Sequence, residues 1–126
     1  MIDEVKHWIA TGRDHFEGAR ILQDKGYPTD VIGLLLQQAL EAYLRGLLLS
    51  WEIDPQGDED LELLLSAVIR KDRAFEGFRD LCVRVSGYYV FGQLPPDPLS
   101  SQAQEEMRNS LSQAQELIAR IEGQVA

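Results

Sequence analysis

The chain has 126 residues, a formal net charge of -9 and a sequence pI near 4.6. With 44% hydrophobic and 26% charged residues it has the make-up of a globular domain rather than a disordered chain, and its length suits one domain spanning residues 1–126 with one core. The acidic balance argues against a generic grip on DNA or RNA backbone, which needs a basic footprint, while leaving room for a small local basic site.

Apolar residues recur at helical spacing throughout, and no segment alternates as a strand would. The first helix is expected from about Asp3 to Lys25, with Val5, Trp8, Ile9, Phe16, Ala19 and Leu22 on one face; Gly26 and Pro28 stop it. Thr29 or Asp30 is expected to cap a second helix that reaches Ser50 or Trp51. Pro55 and Gly57 break the chain before a short third helix carrying Leu61, Leu64, Leu65 and Val68. A fourth is expected from about Ala74 to Phe91, with Phe75, Phe78, Leu81, Cys82 and Val85 inward. Gly92, Pro95, Pro96 and Pro98 predict a loop. Ser101-Gln102-Ala103-Gln104 reads as a capping box, with Glu105 and Glu106 in the first turn of a fifth helix that carries Met107, Leu111, Ala114, Ile118 and Ile121. The expected architecture is all-α, an up-and-down bundle of four to five helices.

The second helix is the unusual one. Its stretch GLLLQQALEAYLRGLLLS (Gly33 to Ser50) is apolar almost all round, and a helix apolar all round must be buried all round. The other helices of so small a bundle are expected to cover one side, leaving the rest for a second copy of the chain. One polar row, Gln37, Glu41 and Arg45, runs along it at four-residue spacing, with Gln38 beside it.

Cys82 is the only cysteine, so the chain can form neither an internal disulfide nor a cysteine metal cluster; its helical spacing predicts a buried structural thiol. The start, MIDEVKHWIA, is mixed and charged, unlike a signal peptide, and the longest apolar runs fall short of the ~20 residues that span a bilayer. The expectation is a cytoplasmic protein with no membrane contact.

Trp8-x-Ala10, Arg13-Asp14, Ala19, the turn Gly26-Tyr27 and then QQALEAYLRGLLL, in this order, resemble the HEPN domain (higher eukaryotes and prokaryotes nucleotide-binding). The central helix of that family reads roughly QQAxEKxLKAxL. Gln37, Gln38, Ala39, Glu41, Leu44, Arg45 and Leu48 stand in register with it, Arg45 replacing the usual lysine. The resemblance runs from Trp8 to Ile121. It implies a bundle of four or five helices that pairs as a homodimer or works beside a minimal nucleotidyltransferase. Some members are metal-independent ribonucleases, in which an arginine, a polar residue and a histidine converge across the dimer, and some are the toxin of a toxin–antitoxin pair.

The departures from the family pattern bear on activity. Glu59 stands where a histidine often follows the second helix, and Gln93 and Leu94 stand where arginine and tyrosine would follow Tyr89. Arg108-Asn109 begins the ribonuclease motif, but Gln113 and Gln115 occupy the range of its histidine, and the two histidines, His7 and His15, belong to the first helix. A histidine base or acid is what such chemistry asks for. His7 and His15, eight residues apart on one helix, cannot share a metal ion by themselves. The acidic run Asp54, Asp58, Glu59, Asp60, Glu62 lacks the spacing of a calcium loop, and no phosphate-cradling glycine loop occurs.

Gln37, Gln38, Glu41 and Arg45 could read a nucleobase edge and a phosphate, with Tyr89 or Tyr88 stacking a base and Arg108 as a further cation; the simpler role for the row is to satisfy polar groups at a dimer seam. The expected function is non-catalytic: association as a homodimer or with a nucleotidyltransferase, with nucleotide binding as a second expectation and neither cofactor nor metal. The alternative is an RNA-cleaving toxin of divergent motif.

Overall fold

The computed structural model describes residues 2–55, 57, 60–90 and 97–125, apart from the side chains of Ile2, Tyr89 and Val90. Among the described residues five α-helices follow one another: α1 (Ile2–Asp24), α2 (Thr29–Ser50), α3 (Leu61–Lys71), α4 (Arg79–Val90) and α5 (Ser101–Val125). Among the described residues there is no strand. Asp58, Glu59, Gln93 and Leu94, together with Gly92, Pro95 and Pro96 of the expected loop, lie outside the described residues.

α1 ends because Gly26 takes φ +72°, a conformation that costs glycine nothing. The Tyr27 amide then donates to the Leu22 carbonyl at 3.0 Å and the Gly26 amide to Gln23 at 3.1 Å, closing the helix C-terminus. The chain reverses, and α2 runs back along α1 at close range. A Cβ at Gly12 would stand 2.7 Å from the Tyr43 ring, and one at Gly46 would stand 2.7 Å from Ile9 Cδ1. These two glycines let the backbones approach, and they fix the register of the pair.

α2 is the axis of the bundle, with α1, α3, α4 and α5 all packed against it. Leu36, Leu40, Leu44, Leu47 and Leu48 are fully buried by the chain itself. The expectation that a whole side of α2 is left for a second copy is therefore not met. α3 and α4 close the side that α1 and α5 leave, and the remaining apolar exposure is at the N-terminal end, Val31 (45%) and Leu34 (38%). By length and composition α2 could cross a membrane, which the short apolar runs did not suggest, but 72% of its apolar window is buried in the bundle. It is the core helix.

Three helix starts differ from expectation. Thr29 does not cap α2: both its amide (3.1 Å) and its hydroxyl (3.2 Å) donate to the Pro98 carbonyl, tying α2 to the approach to α5, and Pro28 holds the cap position. α5 is capped by Ser100, whose Oγ accepts from the Ala103 amide at 3.1 Å, so Glu105 and Glu106 fall beyond the first turn. The fourth helix begins at Arg79 rather than near Ala74. Asp72 accepts from the Ala74 amide and organises Arg73–Phe78 as a tighter 3-10 turn, which brings Phe75 into the core.

A polar clasp closes the outer edge of the α1–α2–α5 layer. Glu122 accepts from Arg13 at 2.9 Å and from the Tyr43 hydroxyl at 3.3 Å. Burial, then the Glu122 charge, pushes the Tyr43 phenol up to about 12.

Candidate functional site

α1 has a groove on each of two sides. The first lies between α1 and α2 and has a volume of about 390 Å³. Trp8, Thr11 and His15 form one wall and Gln38, Glu41, Ala42 and Arg45 the other, with Gly57 of the following loop at the rim. The spacing explains the walls: residues 8, 11 and 15 share a stripe of α1, as 38, 41, 42 and 45 do on α2. The polar row is thus largely brought together. Gln37 is buried and joins through its Nε2, which donates to Glu41 Oε1 at 3.0 Å, while its own carbonyl oxygen is buried without a partner. Arg45 is 9% exposed, and its guanidinium lies over the Trp8 ring, 5.6 Å from the centroid.

His15 completes this groove and was not singled out with the row. Its Nδ1 is 2.8 Å from the Thr11 carbonyl oxygen. A carbonyl only accepts, so Nδ1 carries a proton and Nε2 is the nitrogen left to meet the groove. The 8–11–15 spacing was available in the sequence, but the α1–α2 register that faces it toward Glu41 was not.

The second groove, about 210 Å³, lies between α1 and α5 and is lined by Phe16, Arg20, Gln23, Asp24, Arg108, Leu111, Ser112 and Gln115. Arg108 therefore stands apart from the row, and its Nη1 pairs with Glu105 at 2.7 Å. Gln113 faces yet another way, toward α4, where its Oε1 accepts from Arg84 Nη2 at 2.6 Å. Arg84 Nε also donates to Ser110, whose Oγ shares a 2.7 Å hydrogen bond with the Tyr88 hydroxyl. The Tyr88 hydroxyl is therefore buried rather than in water, and burial raises its pKa. The Tyr89 side chain lies outside the described residues.

The remaining candidates are quiet. Cys82 is buried, which pushes its thiol up to about 12, well away from a nucleophile. Asp60 caps α3 by accepting from the Glu62 amide at 2.8 Å. His7 lies edge-on to Trp8 at 5.6 Å. Among the described residues no three of His, Cys, Asp and Glu are grouped to hold a metal ion.

Against known families, the HEPN domain matches residues 5–124. The chain belongs to the HEPN family. No curated protein and no solved structure matches it. The helices of this HEPN domain carry the family pattern of α2 into the α1–α2 groove, because Gln38, Glu41 and Arg45 all line it. The Arg108 and Gln113 positions of the ribonuclease pattern instead part company within one chain, one toward α1 and the other toward α4.

Proposed function

We propose that this HEPN domain works by association, as a homodimer or beside a nucleotidyltransferase, and not by cutting RNA. The observation that carries the reading is the placement of Arg108. It pairs with Glu105, the residue five positions on is a glutamine engaged by Arg84, and His15 sits in the other groove of α1. Metal-free cleavage needs a proton carrier and a cation at the same phosphate, and these residues supply the two on different faces. Arg20, which lines the Arg108 groove, comes roughly 140° round α1 from His15 by helix geometry.

The exposed end of the α1–α2 layer supports association. Val31 and Leu34 are exposed on the stripe of α2 that continues into Gln38. Across a two-fold axis the stripe of Val31, Leu34 and Gln38 can meet itself. The test is purification of the tagged protein from its native cells, with the bound chains identified and the assembly sized by light scattering. A dimer, or a stable complex with a nucleotidyltransferase, is the expected result. A monomer at micromolar concentration that brings down no protein overturns the reading.

A further inference from the structure

A further groove, of about 430 Å³, lies where α5 meets α4 and the 3-10 turn before it. Phe78 and Leu81 line its apolar part, and Asp80, Arg84, Gln113 and Glu116 its polar part. Three hydrogen bonds set the register of the two helices. Tyr88 and Ser110 meet at 2.7 Å, Arg84 Nε donates to Ser110 at 3.1 Å and Arg84 Nη2 to Gln113 at 2.6 Å. The helices therefore run antiparallel here, and one turn beyond Arg84, about 6 Å along the axis, Asp80 comes level with Glu116. The charges in this groove decline the partners that their own helices offer. Asp80 has Arg84 four residues on, and Glu116 has Arg120, the favoured order for a helix pair. Arg84 crosses to α5 instead, and Arg120 lies over the Phe75 ring, 5.9 Å from its centroid. Among the described residues neither carboxylate makes a hydrogen bond or an ion pair, and Arg84 has no carboxylate partner. The neighbouring Glu76 and Arg79 are taken up with each other.

Donors and acceptors are thus sorted along the groove. At one level Arg84 keeps three of its five N–H donors and the Gln113 amide nitrogen keeps both of its own; one turn away stand two carboxylates that only accept. A lone cation would meet Arg84 and a lone anion would meet Asp80 and Glu116, so a ligand of a single sign matches one end and offends the other. A volume of about 430 Å³ lies within the range of small-molecule sites. We propose that this groove binds a free α-amino acid with an apolar side chain. In the bound state its ammonium donates to Asp80 and Glu116, its carboxylate accepts from Arg84 and Gln113 Nε2, and its side chain covers Phe78 and Leu81. Every one of these residues comes from one chain, so binding is expected of a monomer and a dimer alike.

The experiment titrates the full chain with L-leucine, with leucinamide, which keeps only the ammonium, with N-acetyl-leucine, which keeps only the carboxylate, and with glycine. Heat of binding and the Arg84 Nε–H resonance are followed. The expected result is that leucine binds and shifts Arg84, and that leucinamide and N-acetyl-leucine each bind about tenfold or more weakly, since each loses a charged set of hydrogen bonds. Glycine, with nothing to cover Phe78 and Leu81, should also bind more weakly. Asp80 and Glu116 are both exposed, so Asp80→Asn and Glu116→Gln should keep the helical content and each weaken leucine binding about tenfold. Glu105→Gln, an equal loss of charge elsewhere, should leave it unchanged. Leucinamide or N-acetyl-leucine binding as tightly as leucine overturns the two-ended site, and glycine binding as tightly overturns the apolar side chain. If leucine at millimolar concentration neither gives heat nor moves Arg84, or if Glu105→Gln costs as much as Glu116→Gln, the amino-acid site is overturned.

Discussion

The two grooves beside α1 hold similar kinds of residue and differ in how those residues are tied. On the α2 side, α1 and α2 approach at two glycines, and His15, Glu41 and the Arg45–Trp8 stack are held on rigid helices facing one space. On the α5 side, Arg108 pairs along its own helix with Glu105, both well exposed, an arrangement worth little energy and easily broken. The difference teaches that α2, the helix carrying the most recognisable family pattern, holds its arginine nearly buried against an aromatic ring, while Arg108 of α5 stands largely in solvent.

The strongest way to break the comparison is to break α2. Leu36 and Leu47 are both fully buried within one chain, so Leu36→Asp and Leu47→Asp should each unfold the protein by burying an unpaired charge. Circular dichroism checks this. Leu34→Asp, at a position 38% exposed, should keep the helical signal and act only on assembly, read by light scattering. A folded Leu47→Asp chain would show that α2 is not enclosed at that position.

A smaller change tests the close approach alone. Gly12→Ala removes a helix glycine, which by itself favours the helix by about 1 kcal/mol. The new Cβ would also sit 2.7 Å from the Tyr43 ring and 3.1 Å from the Ala39 carbonyl oxygen. Overpacking of that kind costs about 1–3 kcal/mol, so the clash should win and lower the melting point by several degrees. Gly46→Ala meets the flexible end of Ile9 instead and should cost less.

Raising the pH should loosen the interior without touching either groove first. Cys82 and Tyr43 both have folded pKa values raised to about 12, from ordinary values of 9 and 10. A raised pKa means the folded state holds its proton more tightly, so the stability these groups contribute is complete below pH 9 and is lost as pH rises toward 12. Melting points measured from pH 7 to 11 should be level with respect to these two groups up to about 9 and then fall. Cys82→Ala should shallow the first part of that fall.

How much of this was legible beforehand follows from which forces are local. The five helices, the glycine stop after α1 and the fate of Cys82 were readable, because periodicity and glycine chemistry act within a few residues. The caps slipped by a residue: Ser100 and Ser101 are both good caps, and only the approach of the chain decides between them. Thr29 was misread because its hydroxyl serves Pro98, sixty-nine residues away. The burial of α2 was underestimated since α3, short as it is, packs against it with Leu61, Leu64 and Leu65 all buried. His15 joined the site through helix register, which two glycines set and sequence spacing alone does not show.

A smaller test concerns the ligand side. If a nucleotide occupied the α1–α2 groove, a concentration of a hundred times its dissociation constant would add about 2.7 kcal/mol of stability. For a domain of this size that is a melting shift of several degrees. The acidic chain works against a phosphate, and Arg45 is nearly buried over Trp8, so ATP, GTP and the other common nucleotides at millimolar concentration should leave the melting point unmoved. A shift that vanishes in Glu41→Gln would place a nucleotide in the groove after all.

The smallest expected effect is no effect. General acid–base help is worth ~10²–10⁴ in rate and charge stabilisation about 10²–10³ more. Arg108 can supply the second only, because the Gln113 carboxamide does not titrate near neutral pH and is bonded to Arg84 at 2.6 Å. The acidic surface also repels a polyanion. The purified protein should therefore cleave RNA no faster than buffer, and its expression should not arrest growth. Gln113→His should not rescue activity in an isolated chain, since position 113 faces α4 while Arg108 faces α1, and the change also removes the Arg84 contact. Rescue could come only from a second copy that brings its own Arg108 across to the new histidine. Trace cleavage by Gln113→His that disappears in Arg108→Ala would thus report a dimer with α5 at its seam. Robust cleavage by the unaltered protein, lost in Arg108→Ala, would restore the toxin reading.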